Sequence, residues 1–369
     1  MPLTLEAARS ALENVQDPEL GRSLAAAGML GDVVVSGDAV TVAVDLTTPA
    51  CPYKDKLEQD IRAALTSLGA KAVTLRWGMR VPPRDILADD PCPGVKNIVL
   101  VMSGKGGVGK STVAANLAVA LARSGAKVGL LDADMYGPSV PTMFGVMGRP
   151  TSADGQKFLP LERFGVKLMS IGFLLEDAKS AVVWRGPMIQ GALLQFLKDV
   201  DWGELDYLVL DLPPGTGDII LTISQKVRST GAIVVTTPQE VALQDVYKSV
   251  SMAQKVGISI LGVVENESYF ICDGCTKRHE LFGSGGGAKV AELADAPLLG
   301  QIPLEPGVRE WGDAGTPVVQ AAPNSAVARA FQDVAAALAG KVSVHNLGRA
   351  GSLKIDRSGG ANRHLPIMR

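Results

Sequence analysis

Residues Gly104-Lys105-Gly106-Gly107-Val108-Gly109-Lys110-Ser111, continuing into Thr112, fit the pattern G-x-x-x-x-G-K-[ST]. An apolar run precedes them and a helix-forming run follows. Glycines let backbone N–H groups close around a phosphate chain that a Cβ would hold away. The helix N-terminus adds its partial positive charge. The pattern predicts a nucleoside triphosphate site in which Lys110 reaches the β- and γ-phosphates and the Ser111 hydroxyl ligates Mg2+. Lys105 puts a second cation inside the loop, on a side chain that need not face its own subunit's nucleotide.

Other residues could share that chemistry. An apolar strand, Leu208-Val209-Leu210, delivers Asp211 at its end and continues into Leu212-Pro213-Pro214-Gly215-Thr216-Gly217-Asp218. Mg2+ takes few carboxylates and keeps its waters, so one Asp there suffices. The Pro-Pro-Gly-Thr-Gly run reads as a switch loop able to sense a γ-phosphate. Leu130-Leu131-Asp132-Ala133-Asp134 places two more carboxylates at a strand's C-terminal edge, where parallel sheets bind ligands. Cys272 and Cys275 form a C-x-x-C suited to chelation, and no helix signal opens there as it would for a thioredoxin-like redox pair. Iron–sulfur clusters and structural zinc need four thiolates, and a symmetric dimer would supply them at its two-fold axis. Ligand type alone leaves iron and zinc both open. Cys51 lies between a strand and a helix whose N-terminus would lower its pKa, but a plain buried thiol fits equally. Cys92 reads as incidental, and His279 as a solvated loop residue.

The elements that must position these groups fall into two sets. Residues 1–80 read as a small α+β unit. It has a helix over 4–16, strands at Val33–Val35 and Val40–Leu46 joined by Ser36-Gly37-Asp38, a helix near 53–68 and a strand at Val73–Trp77. Residues 81–95, rich in proline and acid, read as a linker. From residue 96 to 340, six apolar strands alternate with helices near 110–124, 218–229, 241–256, 287–295 and 324–339. That alternation predicts an α/β fold with a parallel sheet covered on both faces. Residues 341–369 hold six basic residues against Asp356 and read as a mobile basic tail.

Taken together, the loop with its early lysine, Asp132-Ala133-Asp134-Met135-Tyr136-Gly137-Pro138-Ser139, the Asp211–Asp218 segment and the paired cysteines resemble the Mrp/ApbC-type iron–sulfur cluster carriers. These are deviant P-loop ATPases of the MinD/ParA superfamily. Asp17-Pro18-Glu19 and Thr47-Thr48-Pro49-Ala50-Cys51-Pro52 resemble the MIP18-like domain that often precedes this ATPase. The resemblance runs from about Met1 to Gly340. It implies ATP as the nucleotide, with Lys105 crossing a homodimer interface to the partner's ATP. Asp134 would orient the attacking water and Asn266 would read adenine. Cys272 and Cys275 would hold a [4Fe–4S] cluster between subunits, received from a scaffold and passed to recipient apoproteins. The family's Cys-Pro-x-Cys is Cys272-Asp273-Gly274-Cys275 here, a less stiff loop from which a cluster should leave readily. By the same resemblance Cys51 would help to acquire or pass on iron–sulfur species.

Composition bounds the alternatives. A 369-residue chain, 47% hydrophobic and 20% charged, can bury a large core and is not disordered. A net charge of −2 gives no general pull toward nucleic acid or anionic membrane, which argues against a positioning or partition ATPase. Four cysteines are too few for a disulfide framework, and the N-terminus lacks a signal peptide's basic start and apolar stretch. A cytoplasmic protein is expected. An ATP-switched adaptor with structural zinc at its dimer interface remains the alternative.

Overall fold

The computed structural model describes every residue except 1–2, 50, 136, 153–154, 156, 176–185, 216, 273 and 353–369. Tyr136, Thr216 and Asp273 of the motifs, and the tail residues from Lys354 onward, lie outside the described residues.

The N-terminal unit comprises α1 (Leu5–Glu13), a short pair β1 (Gln16–Asp17) and β2 (Arg22–Ser23), β3 (Leu30–Ser36), β4 (Ala39–Leu46), α2 (Lys54–Ser67) and β5 (Ala72–Met79). β3 and β4 form an antiparallel hairpin turning at Gly37, whose φ of +59° suits a residue without Cβ. β5 adds parallel to β4. Val40, Val42, Val44 and Leu46 alternate along β4 and are buried in one core with Leu57, Ile61 and Leu65, which share a face of α2.

The second unit runs β6 (Ile98–Ser103), α3 (Lys110–Arg123), β7 (Val128–Asp132), α4 (Val140–Phe144), β8 (Leu161–Arg163), β9 (Val166–Ser170), α5 (Gly186–Asp199), β10 (Tyr207–Asp211), α6 (Asp218–Lys226), β11 (Gly231–Thr236) and α7 (Glu240–Lys255). It continues through β12 (Ile260–Glu265), β13 (Phe270–Ile271), β14 (Arg278–His279), α8 (Gly286–Ala294), β15 (Leu298–Gln301), α9 (Pro306–Asp313), α10 (Val318–Ala321) and α11 (Ala326–Ser352). Eight strands make one sheet in the order β15-β12-β11-β6-β10-β7-β9-β8. All pair in parallel except β8, which runs antiparallel on the edge. Every residue of β6, β7, β10 and β11 is buried, as expected of strands covered on both faces. Two separate apolar cores form from the sheet and its covering helices.

One expectation is corrected. The last helix does not stop near Gly340: α11 continues to Ser352, so residues 341–352 are helical and not tail. Gly340 reads as a helix end because glycine usually closes helices. Here it is interior, and a Cβ on it would run into the Glu19 carboxyl of the N-terminal unit. Beyond it, Ser343 Oγ donates to Thr47 O at 2.9 Å and Asn346 Nδ2 donates to Pro82 O at 2.9 Å. Arg22 adds a bond to Leu347 O at 3.3 Å. The proline-rich segment 81–95, read as a linker, packs against the rest of the chain. Val81, Arg84 and Cys92 are buried, and Arg84 forms a two-pronged ion pair with Asp90.

Candidate nucleotide and thiol site

Parallel register fixes the site. Asp211 of β10 pairs with Asp132 of β7 and with Val101 of β6, so the C-terminal ends of three adjacent strands open onto one rim. The glycine loop leaves β6 there and enters α3 at Lys110. Gly107 and Gly109 adopt φ of +81° and +75°. A Cβ on Gly109 would strike the Asn266 amide, and one on Gly104 would strike the α7 backbone at Asp245 and Val246. The glycines at those two positions are therefore demanded by packing as well as by any ligand.

Lys110 is buried and its Nζ lies 2.6 Å from Asp211 Oδ1 and 3.3 Å from Ser111 Oγ. Burial pushes the Asp211 carboxyl upward, against the pull of Lys110 and the Ser111 hydroxyl. Its second oxygen, Oδ2, is buried without a hydrogen-bond donor among the described residues. A buried carboxylate oxygen with no donor, near a hydroxyl, fits a hard divalent cation such as Mg2+.

Asp132 plays a different part from that oxygen. It accepts from the backbone N–H groups of Asp134, Ser139 and Val140 at 3.0–3.1 Å and from Ser170 Oγ at 3.1 Å. It thereby holds the chain that enters α4, while burial and the neighbouring Asp211 raise its pKa to about 7. Asp134, half-buried beside it, lines a cavity of about 530 Å3 with Pro213, Pro214 and Gly215. Lys105 is half-exposed and forms no ion pair with a described residue.

A second cavity, about 460 Å3, lies on the other side of the loop, lined by Gly109, Thr112, Asn266 and the wall Ile302–Glu305. Asn266 Nδ2 donates to Val108 O at 3.0 Å, which ties the strand-end Asn to the loop. The volume and lining suit the base and ribose of a nucleotide whose phosphates sit in the glycine loop.

The cysteines are not on a plain loop. Cys272 and Cys275 cap an antiparallel hairpin of β13 and β14, closed by Cys272 N to Lys277 O at 3.0 Å and Thr276 N to Cys272 O at 2.7 Å. Cys275 is exposed and Cys272 half-buried. No group of three or more His, Cys, Asp or Glu residues able to hold a metal occurs among the described residues. His279, in β14, is exposed. Of the two readings open for Cys51, the plain buried thiol is the one that fits: burial, with Asp17 and Glu19 adding to it, pushes the thiol up to about 11. Cys92 is driven to about 12 by burial.

Sequence reasoning missed Glu265, the last residue of β12. It is fully buried and accepts from Ser268 Oγ at 2.5 Å, Gln301 Nε2 at 2.7 Å and Gly287 N at 2.5 Å. The available signal was a charged residue closing an apolar strand next to Asn266.

The Synechocystis "Iron-sulfur cluster carrier protein" is 48% identical over 93% of this chain and 99% of its own length. The Escherichia coli protein of the same name is 46% identical over 88% of each. A nucleotide-binding protein from Archaeoglobus fulgidus, solved in complex with ADP, superposes with a TM-score of 0.53 at 43% identity, covering 60% of this chain and 87% of that one. Residues 5–75 match a family described as an iron–sulfur cluster assembly protein. Residues 94–339 match the family described as the NUBPL iron-transfer P-loop NTPase. With its phosphate loop, strand-end carboxylates and thiol hairpin in one unit, this chain belongs to the NUBPL iron-transfer P-loop NTPase family.

Proposed function

We propose that this protein is an ATP-hydrolysing iron–sulfur cluster carrier that holds its cargo between two copies of the chain. The observation that carries this reading is the exposed Cys272–Cys275 hairpin, which presents two thiols on a P-loop NTPase. Four thiolates are the usual complement of a cluster, and a two-fold axis through facing hairpins provides them. The cargo is then a [4Fe–4S] cluster at the homodimer interface. It is taken from a scaffold and released to recipient apoproteins in the cytoplasm. No helix among the described residues is long and apolar enough to cross a membrane.

For hydrolysis, Ser111 and Asp211 would hold Mg2+, which supplies positive charge against the phosphate oxygens. Lys110 turns from Asp211 to the β- and γ-phosphates, while the backbone of Gly104 through Thr112 wraps the triphosphate. Asp134 orients the attacking water beside the Pro213–Gly215 loop. Asn266 and the Ile302–Glu305 wall receive adenosine. Lys105 reaches the partner's ATP and offsets charge that develops as the γ-phosphate leaves. Closure of the dimer brings the thiol pairs together, and reopening frees the cargo.

Anaerobic purification with iron, sulfide and zinc analysis tests the reading. Four iron and four sulfide per dimer are expected by the nuclearity of the proposed cargo. Replacing Cys272 or Cys275 with Ala should abolish the visible thiolate-to-iron absorption and leave ATPase activity measurable. Stoichiometric zinc without sulfide would replace the carrier by a zinc-bridged adaptor.

A further inference from the structure

The nucleotide cavity and the thiol hairpin share one piece of backbone. After Asn266 the chain runs beside the cavity wall: Ser268 N donates to Ile302 O at 2.9 Å and Leu304 N donates to Tyr269 O at 2.7 Å. Phe270, the first residue of β13, bridges Leu304. Thus Ile302 and Leu304, which line the cavity, are hydrogen-bonded to the base of the hairpin that ends in Cys272. A displacement of that wall cannot leave the hairpin where it was.

Glu265 locks this junction. Its carboxylate gathers Ser268 from the hairpin base, Gln301 from the end of β15 and the N-terminal Gly287 N–H of α8. Its own backbone carbonyl accepts from Ile302 N at 2.9 Å. Gly287 has to be glycine for α8 to come this close, since a Cβ there would lie 2.7 Å from the Glu265 Cβ. Gln301 in turn lies 3.5 Å from Arg278 of β14, and that guanidinium stacks 3.9 Å over the Tyr269 ring. On its other flank Glu265 adjoins Asn266, held by Thr236 O and by Val108 O of the phosphate loop. One buried side chain therefore joins three segments, the hairpin base, the end of β15 and α8, while its backbone ties in the cavity wall and leads into Asn266.

We infer that Glu265 is a positioning residue that couples nucleotide occupancy to the posture of the Cys272–Cys275 hairpin. Nucleotide pressed against Ile302–Glu305 steadies the wall, and the Glu265 hub carries that order into β13 and β14. Its purpose rests on the carrier reading, but the coupling itself is a property of the metal-free chain. A buried polar hub with every partner satisfied is stiff, and that stiffness lets a contact at one end restrain the other.

The test uses cluster-free full-length protein under anaerobic conditions. Iodoacetamide modification of each cysteine is resolved by mass spectrometry, with and without saturating Mg·ADP. ADP fills the cavity yet lacks the γ-phosphate on which dimer closure would depend. Cys272, half-buried and closed in by the Lys277 and Thr276 backbone bonds, reports hairpin opening; exposed Cys275 is the internal reference. Mg·ADP should slow Cys272 relative to Cys275 by about fivefold, the low end of ordinary coupling between sites. Glu265→Gln, which keeps the shape but faces donors with an amide, should lose that slowing while ADP affinity stays within about threefold. If Glu265→Gln does not fold, Gln301→Ala removes one spoke of the hub, and it should diminish the effect. Equal slowing in the folded variant and the parent overturns the coupling, as does no slowing in the parent. A variant that loses ADP affinity shows Glu265 to shape the cavity only, and this too overturns it. Metal and sulfide analysis decides the carrier reading separately, so the two can fail independently.

Discussion

Lys110 and Asp211 illustrate how one buried pair can serve two partners in turn. Their 2.6 Å contact neutralises an ammonium and a carboxylate that would otherwise be buried alone. On the proposed reading, bound phosphate would give Lys110 a better partner, and a divalent cation would give Asp211 one. Lys110→Ala should therefore weaken Mg·ATP binding by roughly 10- to 100-fold, the worth of one or two charge-assisted bonds. Isothermal titration checks this, and unchanged affinity would remove Lys110 from the phosphate site. Lys105→Ala should bind Mg·ATP normally yet hydrolyse it about a thousandfold more slowly, the scale set by cations supplied in trans to a γ-phosphate. It should also fail to dimerise with ATP in light scattering; normal dimerisation would argue against a cross-interface role. The thiols give a third prediction at this scale. The thiolate is the nucleophile, and Cys51 and Cys92, raised to about 11 and about 12, are almost wholly protonated at neutral pH. Exposed Cys275 should alkylate fastest and Cys92 slowest, with Cys51 gaining rate up to about pH 11. Cys51 reacting as fast as Cys275 at pH 7 would contradict its buried, carboxylate-flanked setting.

At the scale of elements, legibility follows how local each signal is. The loop from Gly104 to Ser111 and the buried strands β6, β7, β10 and β11 are readable because glycine spacing and continuous apolar runs are properties of neighbours in sequence. The hairpin carrying Cys272 reads as a loop, since β13 and β14 have two residues each and cannot show a period. β9 escapes notice because Lys167 interrupts its apolar run. α5 opens on Gly186-Pro187, a pairing that reads as a turn. The Glu265 hub is illegible because its partners lie at 268, 287 and 301 and only the fold gathers them. α11 teaches the same lesson: Gly340 ends a helix by local rules, but Glu19, more than three hundred positions earlier, occupies the space its Cβ would need. From this follows a prediction. Deleting residues 341–369 removes the Ser343, Asn346 and Leu347 contacts to residues 47, 82 and 22. Limited proteolysis should then cut within residues 81–95 faster than in the full chain, while ADP binding persists. An unchanged cleavage rate would show that α11 does not retain the N-terminal unit.

Across the whole molecule, the N-terminal unit rests on the P-loop unit through a junction that contains a misplaced charge. Glu19 lies against Gly340 of α11 and near Tyr207 of β10, whose hydroxyl is buried without a partner among the described residues. Burial, reinforced by Asp17, raises the Glu19 carboxyl to about 7. The unfolded or undocked group titrates in the ordinary carboxylate range, so the packed state holds a proton that the free state gives up. Whatever Glu19 contributes to docking is therefore fully present below that ordinary range and is lost as pH rises through about 7. Amide hydrogen exchange over residues 81–95 and 341–349 should show stronger protection at about pH 6 than at about pH 8, after correction for intrinsic exchange. Glu19→Gln keeps the shape without the charge, so its protection should stay flat across that range and exceed the parent's at the upper end. The amide is neutral at every pH, as the carboxyl is only when it carries its proton. Equal corrected protection in the parent at both pH values would mean that Glu19 escapes its charge by reaching solvent. If the variant lost protection at every pH, the ionised carboxylate would be the docking form, and docking would strengthen rather than weaken as pH rises.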